Sequence, residues 1–383
     1  MDRLLFLAVV ASLPVMQPPL LFIDGYPLVL TDILFVILAA VVAGLILLGR
    51  MRIAWSPFHG AIVAFGLAEF LSAAHLGTRH ALIKAAGSSY LCALGILASH
   101  YAQQRRGARR ILWAWLAGTA VTVIAMGAGL ALFVGGQRSN PFLYGYGSLI
   151  PGAYPRLQGL FVNANVLFTY LAAGVFFLFG AVRARVLPPR VGYGAGAVLV
   201  VGTVFSLSPG LGGLALALAW WWSPSLAPRE ATAARLAGMG AAIAFVLATL
   251  LSPTMLQRGG TLTSLPLEPS SRLMAWRDAA ATFLANPWLG AGPGSDVAHV
   301  SYQNASHFQE FLTDAHNTFL SVLGQTGLVG FACFLWILVP LVARMRMPPD
   351  LTPHRAWRSA CECALMAAVL YPSLSGSFED TRH

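Results

Sequence analysis

Charge is scarce in this chain: only 10% of its 383 residues are Asp, Glu, Lys or Arg. Beside 57% hydrophobic residues and a mean hydropathy of +0.70, so little charge excludes a soluble domain of this size. Cysteine is sparse too. Cys92, Cys333, Cys361 and Cys363 all fall within apolar runs. Cys361-x-Cys363 directs its thiols to different sides of a helix, so neither a disulfide framework nor a thiolate metal site is expected. The cysteines read as small packing residues. Internal repeats, low-complexity tracts and a separate soluble domain are all lacking.

What the chain has in abundance is apolar runs of a length that crosses about 30 Å of hydrocarbon. They define an all-α polytopic integral membrane protein of about 11–12 transmembrane helices, residues 1–383 forming one transmembrane domain. Spans are expected at about 4–22, 27–49, 59–76, 81–101, 111–134, 159–182, 191–207, 210–224, 236–253, 318–343 and 358–377. With a cytoplasmic N-terminus, one set of short loops collects Arg3, Arg50, Arg52, Arg105, Arg106, Arg109, Arg110, Arg183, Arg185, Arg190, Arg229, Arg235, Arg344, Arg346, Arg355 and Arg358. These are sixteen of the 24 Lys and Arg, the bias that marks the cytoplasmic side. The net charge of +10 is thus a topology signal and a contact for membrane lipids, not a nucleic-acid patch.

The first span reads as a signal anchor, since no small-residue cleavage site follows it. The stretch 191–223 has to turn near Ser206-Leu207-Ser208-Pro209-Gly210, leaving two short spans whose break lines a cavity or lies buried in protein. An eleventh span ending on the outer side predicts a further helix beyond His383. Glu69 in span three and Lys84 in span four are expected to satisfy one another as an ion pair.

Polar sequence gathers on the outer side in two loops, 135–158 and 254–315. In the larger loop, Glu268-Pro269-Ser270-Ser271 reads as a helix start. Leu273, Trp276, Ala280 and Phe283 then recur at helical spacing, predicting an amphipathic helix along the membrane surface. Asn286-Pro287 and Gly290-x-Gly292-Pro293-Gly294 end it, and a second short helix is expected over 306–313. Arg272 falls in a first helical turn, where free N–H groups and the helix dipole favour anions. Arg156 stands just before span six. Two guanidinium forks from separate loops fit a pyrophosphate, although a lone interfacial arginine is more often a headgroup anchor. Arg277, next to Asp278, reads as a structural or secondary contact. His316, in Asp314-Ala315-His316-Asn317, sits at the water–membrane boundary ahead of span ten, where imidazole titrates near physiological pH. Behind it, Gly324-x-x-Gly327-x-x-Gly330 predicts close approach of a neighbouring helix.

His316-Asn317, nine residues, then Gly327-x-x-Gly330 resembles the signature of O-antigen ligases and their polymerase relatives, H-[NSQ]-x9-G-x-x-[GTY]. Further blocks of that family recur in order: Arg156-x-x-Gly159-x-Phe161-x-Asn163-x-Asn165, Arg272-x-x-x-Trp276 with Asn286-Pro287-Trp288-x-Gly290-x-Gly292-Pro293-Gly294, and Glu379-Asp380-x-Arg382. They cover the chain from about residue 150 onward. The resemblance implies a GT-C-like glycosyltransferase of the bacterial inner membrane with its site facing the periplasm. It implies transfer of a glycan from undecaprenyl pyrophosphate to an acceptor, in the ligases a lipid A–core sugar. The catalytic residues it implies are His316, Arg156 and Arg272, and Asn317, Asn163, Asn165 and Arg277 are carried as substrate contacts. No cofactor is implied. A metal is not required, because His299, His307 and His316 lack ligand spacing and no acidic pair accompanies them. The hairpin departs from the family pattern Ser-x-Ser-Arg-Gly, having Pro209 where relatives carry arginine, so the acceptor is less firmly implied. A polymerase, a protein O-oligosaccharyltransferase and a transporter are the alternatives. Transporters place charges at the membrane midplane, whereas these arginines and His316 lie at the outer edge.

Overall fold

The computed structural model describes the chain except residues 24–25, 54, 105, 145–153, 209, 252–270, 304–308, 345–350, 353–354, 372 and 374–383. Helices dominate: α1 Asp2–Ser12, α2 Leu30–Leu47, α3 Pro57–Leu76, α4 Arg79–Ala102, α5 Gly107–Val134, α6 Ala164–Arg183, α7 Pro189–Phe205, α8 Leu211–Trp222, α9 Pro228–Leu251, α10 Ser271–Ala285, α11 Thr318–Arg344 and α12 Ala356–Leu365, the last continuing into a π turn, Met366–Leu370. Among the described residues, seven helices (α2–α6, α9 and α11) are long and apolar enough to cross a membrane. This is an all-α polytopic membrane protein. α1, α7, α8 and α12 are shorter, at 11, 17, 12 and 10 residues.

Local chemistry accounts for several starts. Ser56, Thr78 and Asn163 each accept a backbone N–H of the following first turn, the N-cap bond that satisfies an orphan donor. The first expected span is not a single helix. α1 stops at Ser12, ahead of Pro14, Pro18 and Pro19, which lack an N–H and clash with a preceding turn. A two-stranded ribbon, β1 Leu21–Ile23 with β2 Tyr26–Leu28, follows. The Thr31 hydroxyl then donates to the Ser12 carbonyl at 2.8 Å, fixing α2 against the end of α1.

α6 is the centre of the core: Leu167, Phe168, Leu171, Ala172, Val175 and Phe176 have no exposed surface. Its glycines and those of α7 and α8, Gly194 excepted, admit neighbouring side chains. A Cβ on Gly174 would lie 2.0 Å from the Trp115 ring, and one on Gly196 2.6 Å from Phe179. Gly210 is similarly filled by Phe168, Gly213 by Tyr371. α7 and α12 pack on α6, while α11 packs on α3 and α10. α3 and α4 form an antiparallel pair whose shared turn at Gly77 lies at the same end of the bundle as the start of α11. Glu69 is buried on α3.

The segment ahead of α11 differs from expectation in one element. Residues 309–312 form a strand, β4 Gln309–Leu312, paired antiparallel with β3 Val300–Gln303 in the register Val300↔Leu312, Gln303↔Gln309. Antiparallel backbone pairing between 300–303 and 309–312 takes the place of the helix expected over 306–313, whose residues 306–308 lie outside the described residues.

Candidate functional site

α11 begins in a polar knot. Asn317 is the cap: its Oδ1 accepts the N–H groups of Phe319 (3.0 Å) and Leu320 (3.2 Å). Immediately before it, His316 adopts a left-handed backbone, φ 47°, which a residue with a Cβ adopts at a cost of roughly 1–3 kcal/mol. Asp314 offsets that cost. One carboxylate oxygen accepts the His316 N–H at 3.1 Å, and the other accepts the Ser321 hydroxyl at 2.5 Å, one turn into the helix. Ala315, Asn317, Thr318 and Ser321 are buried around the half-buried His316. Asp314 had no role in the sequence reading, where only its place in the tetrapeptide was visible.

The same helix is broken six residues beyond Ser321. Gly327 has φ 61° and ψ −162°, a conformation open to glycine, and the chain 287–292 docks into the gap backbone to backbone. Leu328 and Val329 donate to the carbonyls of Pro287 (2.9 Å) and Trp288 (3.2 Å). Ala291 and Gly292 donate to Gly324 (2.8 Å) and Gln325 (2.9 Å). Ser72 of α3 ties the two together, its hydroxyl contacting the carbonyls of Leu289 (2.5 Å) and Gln325 (2.9 Å). A Cβ on Gly290 would meet the Gln325 carbonyl carbon at 2.3 Å, and one on Gly327 the Trp288 carbonyl carbon at 2.4 Å. The glycine spacing therefore serves two neighbours: Gly327 admits the 287–292 loop, while Gly324 faces Val297 and the Ala279 carbonyl of α10, the close helix that the pattern suggested. Freed backbone groups within an apolar bundle require such partners. Ser72 is a positioning residue that its sequence setting, an alanine-rich span, gave no means to find.

α10 carries Arg272 in its first turn and lies against α11. Its docking face is Ala275 and Ala279, buried against Val297, Ala298, Val300 and Ala315. The expected face is only partly used: Leu273 is 49% exposed, while Trp276 packs beside Ala279 and Ala315. The Trp276 indole N–H is buried with no hydrogen-bond partner. Arg272 thus stands in the first turn of one helix and His316 just ahead of the cap of another, and the two helices pack together. Arg277 is exposed, and its neighbour Asp278 accepts the His299 N–H at 3.1 Å.

Arg156 is placed by different elements. Residues 141–144 and 154–158 form a strap across the end of α7: Leu143 and Leu157 pair as an isolated β-bridge, and the Leu157 N–H donates to Phe205 at 2.9 Å. The Arg156 Nε donates to the Ser206 carbonyl at 3.2 Å, and its guanidinium stacks 4.9 Å from the Tyr144 ring centroid. Burial pulls its pKa below the usual guanidinium value, while Tyr144 acts the other way. Guanidinium starts so high that the group stays charged. Asn163 spends its side-chain oxygen on the cap of α6, accepting the Val166 N–H at 2.8 Å. Asn165, two residues on, has a buried Oδ1 with no partner, unlike Asn163. The block after span eleven, 379–382, lies outside the described residues.

Among the described residues, seven membrane-length helices, a broken helix, a histidine in a left-handed backbone and a partly buried arginine describe a multi-pass membrane protein with polar groups gathered near helix starts. Residues 197–335 match the O-antigen ligase (Wzy_C) family model, and that stretch contains the end of α7 with α8, α10, the 287–292 loop and the His316 knot. That match supports an O-antigen ligase-like family and, in general terms, an O-antigen ligase or polymerase type of function. A comparison with curated proteins gave no match.

Proposed function

We propose that the protein is a GT-C-like glycosyltransferase of the bacterial inner membrane that moves a glycan from undecaprenyl pyrophosphate to a lipid A–core acceptor on the periplasmic face. The observation that carries this reading is the start of α11, where Asp314 and Asn317 fix the backbone on either side of His316. The imidazole is the general base: it takes the proton of the acceptor hydroxyl as that oxygen attacks the anomeric carbon. The bond from that carbon to the pyrophosphate oxygen breaks, and undecaprenyl pyrophosphate departs with the electron pair. Arg272, in the first turn of α10, and Arg156, held against the α7–α8 turn, neutralise the charge that grows on the leaving group. Asn165 and Asn317 flank the site as substrate contacts, and Arg277 is a secondary one. No metal takes part in this chemistry.

The hairpin gives a second reading its footing. With Pro209 in place of the relatives' arginine, the acceptor side is altered, and a polymerase that accepts a second carrier-linked glycan would use the same three residues. The reading is tested with protein reconstituted in lipid nanodiscs and supplied with carrier-linked glycan. Parallel arms contain lipid A–core, a second carrier-linked glycan, or a protein acceptor. Product in the lipid A–core arm alone is the result expected; product confined to another arm reassigns the acceptor.

A further inference from the structure

A second charged site lies at the opposite end of the bundle. α4 runs 24 residues, about 36 Å, away from the end where His80 contacts the 290–294 loop. At its far end a cleft of about 320 Å³ is lined by Asp2, Arg3, Leu45, Arg50, Met51, Arg52, His100 and Gln104. Three elements bring the basic side chains together. Arg3 comes from the first turn of α1, and His100 from the last turn of α4. Arg50 and Arg52 follow α2, where Gly49 (φ 68°) reverses the chain and Arg50 and Met51 both donate to the Leu45 carbonyl. The cleft is rigid at its base. Tyr101 is 3% exposed, stacks on Phe6 and donates its hydroxyl to Asp2 at 3.0 Å. The Gln104 side chain meets His100 at 3.1 Å.

The charge here is unbalanced. The one carboxylate in the lining, Asp2, is engaged by the Tyr101 hydroxyl and the terminal amine, and none of the three arginines meets a carboxylate among the described residues. Three guanidinium forks around one cleft of this size match the oxygens of a phosphodiester. The flanking residues supply the second half of the argument: Leu4, next in the chain to Arg3, and Leu47 and Leu48, between Leu45 and Arg50, are 74%, 87% and 69% exposed. A free phosphate has no use for apolar flanks, whereas a lipid has both a phosphate and acyl chains.

We propose that this cleft is a binding site for the headgroup of an anionic phospholipid, with Arg3, Arg50 and Arg52 on the phosphate and Leu4, Leu47 and Leu48 against the first acyl carbons. The site is independent of glycan transfer. It differs from general attraction of a basic surface to anionic lipid because it holds one headgroup at named residues.

The test uses the full chain in neutral detergent, titrated with phosphatidylglycerol, phosphatidylcholine or inorganic phosphate and read by native mass spectrometry. The wild type should retain phosphatidylglycerol in preference to phosphatidylcholine. Affinity should fall about fivefold for each arginine changed in the series Arg50→Gln, Arg50→Gln/Arg52→Gln and the triple variant with Arg3→Gln. A control with Arg183→Gln, Arg229→Gln and Arg235→Gln, equal in charge and at the same end, should keep the lipid. Equal loss in both triple variants overturns the site in favour of diffuse charge. Displacement of lipid by millimolar inorganic phosphate overturns the lipid assignment. Should the triple variant misfold, photoactivatable phosphatidylglycerol on wild-type protein decides: crosslinks within 45–52 and 100–104 support the site, and crosslinks spread elsewhere reject it.

Discussion

The carboxylate of Asp314 accepts the backbone N–H of His316 at 3.1 Å and so holds a residue with a side chain at φ 47°. Through its second oxygen it is anchored to Ser321, so the histidine's orientation is inherited from the first turn of α11. Asp314→Ala should therefore lower turnover by about 10²-fold with little change in donor affinity, because small misplacement of a base is costly. Asp314→Asn retains an acceptor oxygen and should recover much of the loss. Steady-state kinetics on the three proteins separates kcat from KM; an unchanged kcat in Asp314→Ala removes the positioning role.

The broken helix makes a stability prediction. Gly327→Ala places a Cβ 2.4 Å from the Trp288 carbonyl carbon at a left-handed φ, and Gly290→Ala meets the Gln325 carbonyl at 2.3 Å. Neither neighbour is a flexible side-chain end, so each substitution should cost on the order of 1–3 kcal/mol or more. Gly194→Ala, with nothing within 4 Å, is the matched control. Thermal unfolding in detergent should show lower midpoints for the first two and little shift for the third.

Much of this architecture is legible in the sequence, and the reasons for the rest are physical. Hydropathy and arginine bias locate the helices because lipid forces backbone bonds to close within each segment. The turn near 206–210 and the start of α10 are local signals of the same kind, whereas the caps at Ser56, Thr78 and Asn163 emerged only with the structure. The stop at Ser12 was masked by the apolar residues that continue through Leu13–Ile23, although the prolines carry the information. The β3–β4 pairing and the docking of 287–292 onto α11 rest on backbone hydrogen bonds between separate segments, in the second case more than thirty residues apart. Side-chain pattern encodes such bonds only through glycine, and glycine spacing does not say whether a loop or a helix fills the space. Asp314 was visible as a residue but not as a partner of His316.

Arg156 makes a prediction about pH. Burial lowers the pKa of any cation placed there, and guanidinium tolerates this because it starts above 12. An ammonium at the same position starts near 10.4 and is lowered in turn, so Arg156→Lys should lose charge, and with it turnover, as pH rises through the alkaline range. The wild type should stay flat over that range. A pH–rate profile checks this; parallel profiles would show that the charge at this position is not used.

Arg272→Lys should recover only part of the activity lost in Arg272→Ala, since an ammonium lacks the two-pronged contact with phosphate oxygens. Donor binding and turnover should both weaken in the alanine variant, because pyrophosphate is charged before and after bond cleavage. Normal donor affinity in Arg272→Ala would leave this arginine a headgroup anchor.

Single-turnover glycan transfer by His316→Ala, in nanodiscs preloaded with carrier-linked glycan and supplied with acceptor, tests the central claim most directly. The account expects donor binding near the wild-type level, transfer slowed by about 10²–10⁴-fold, and no effect of chelator on either protein. Transfer at the wild-type rate without the imidazole, or its abolition by chelator, would contradict it.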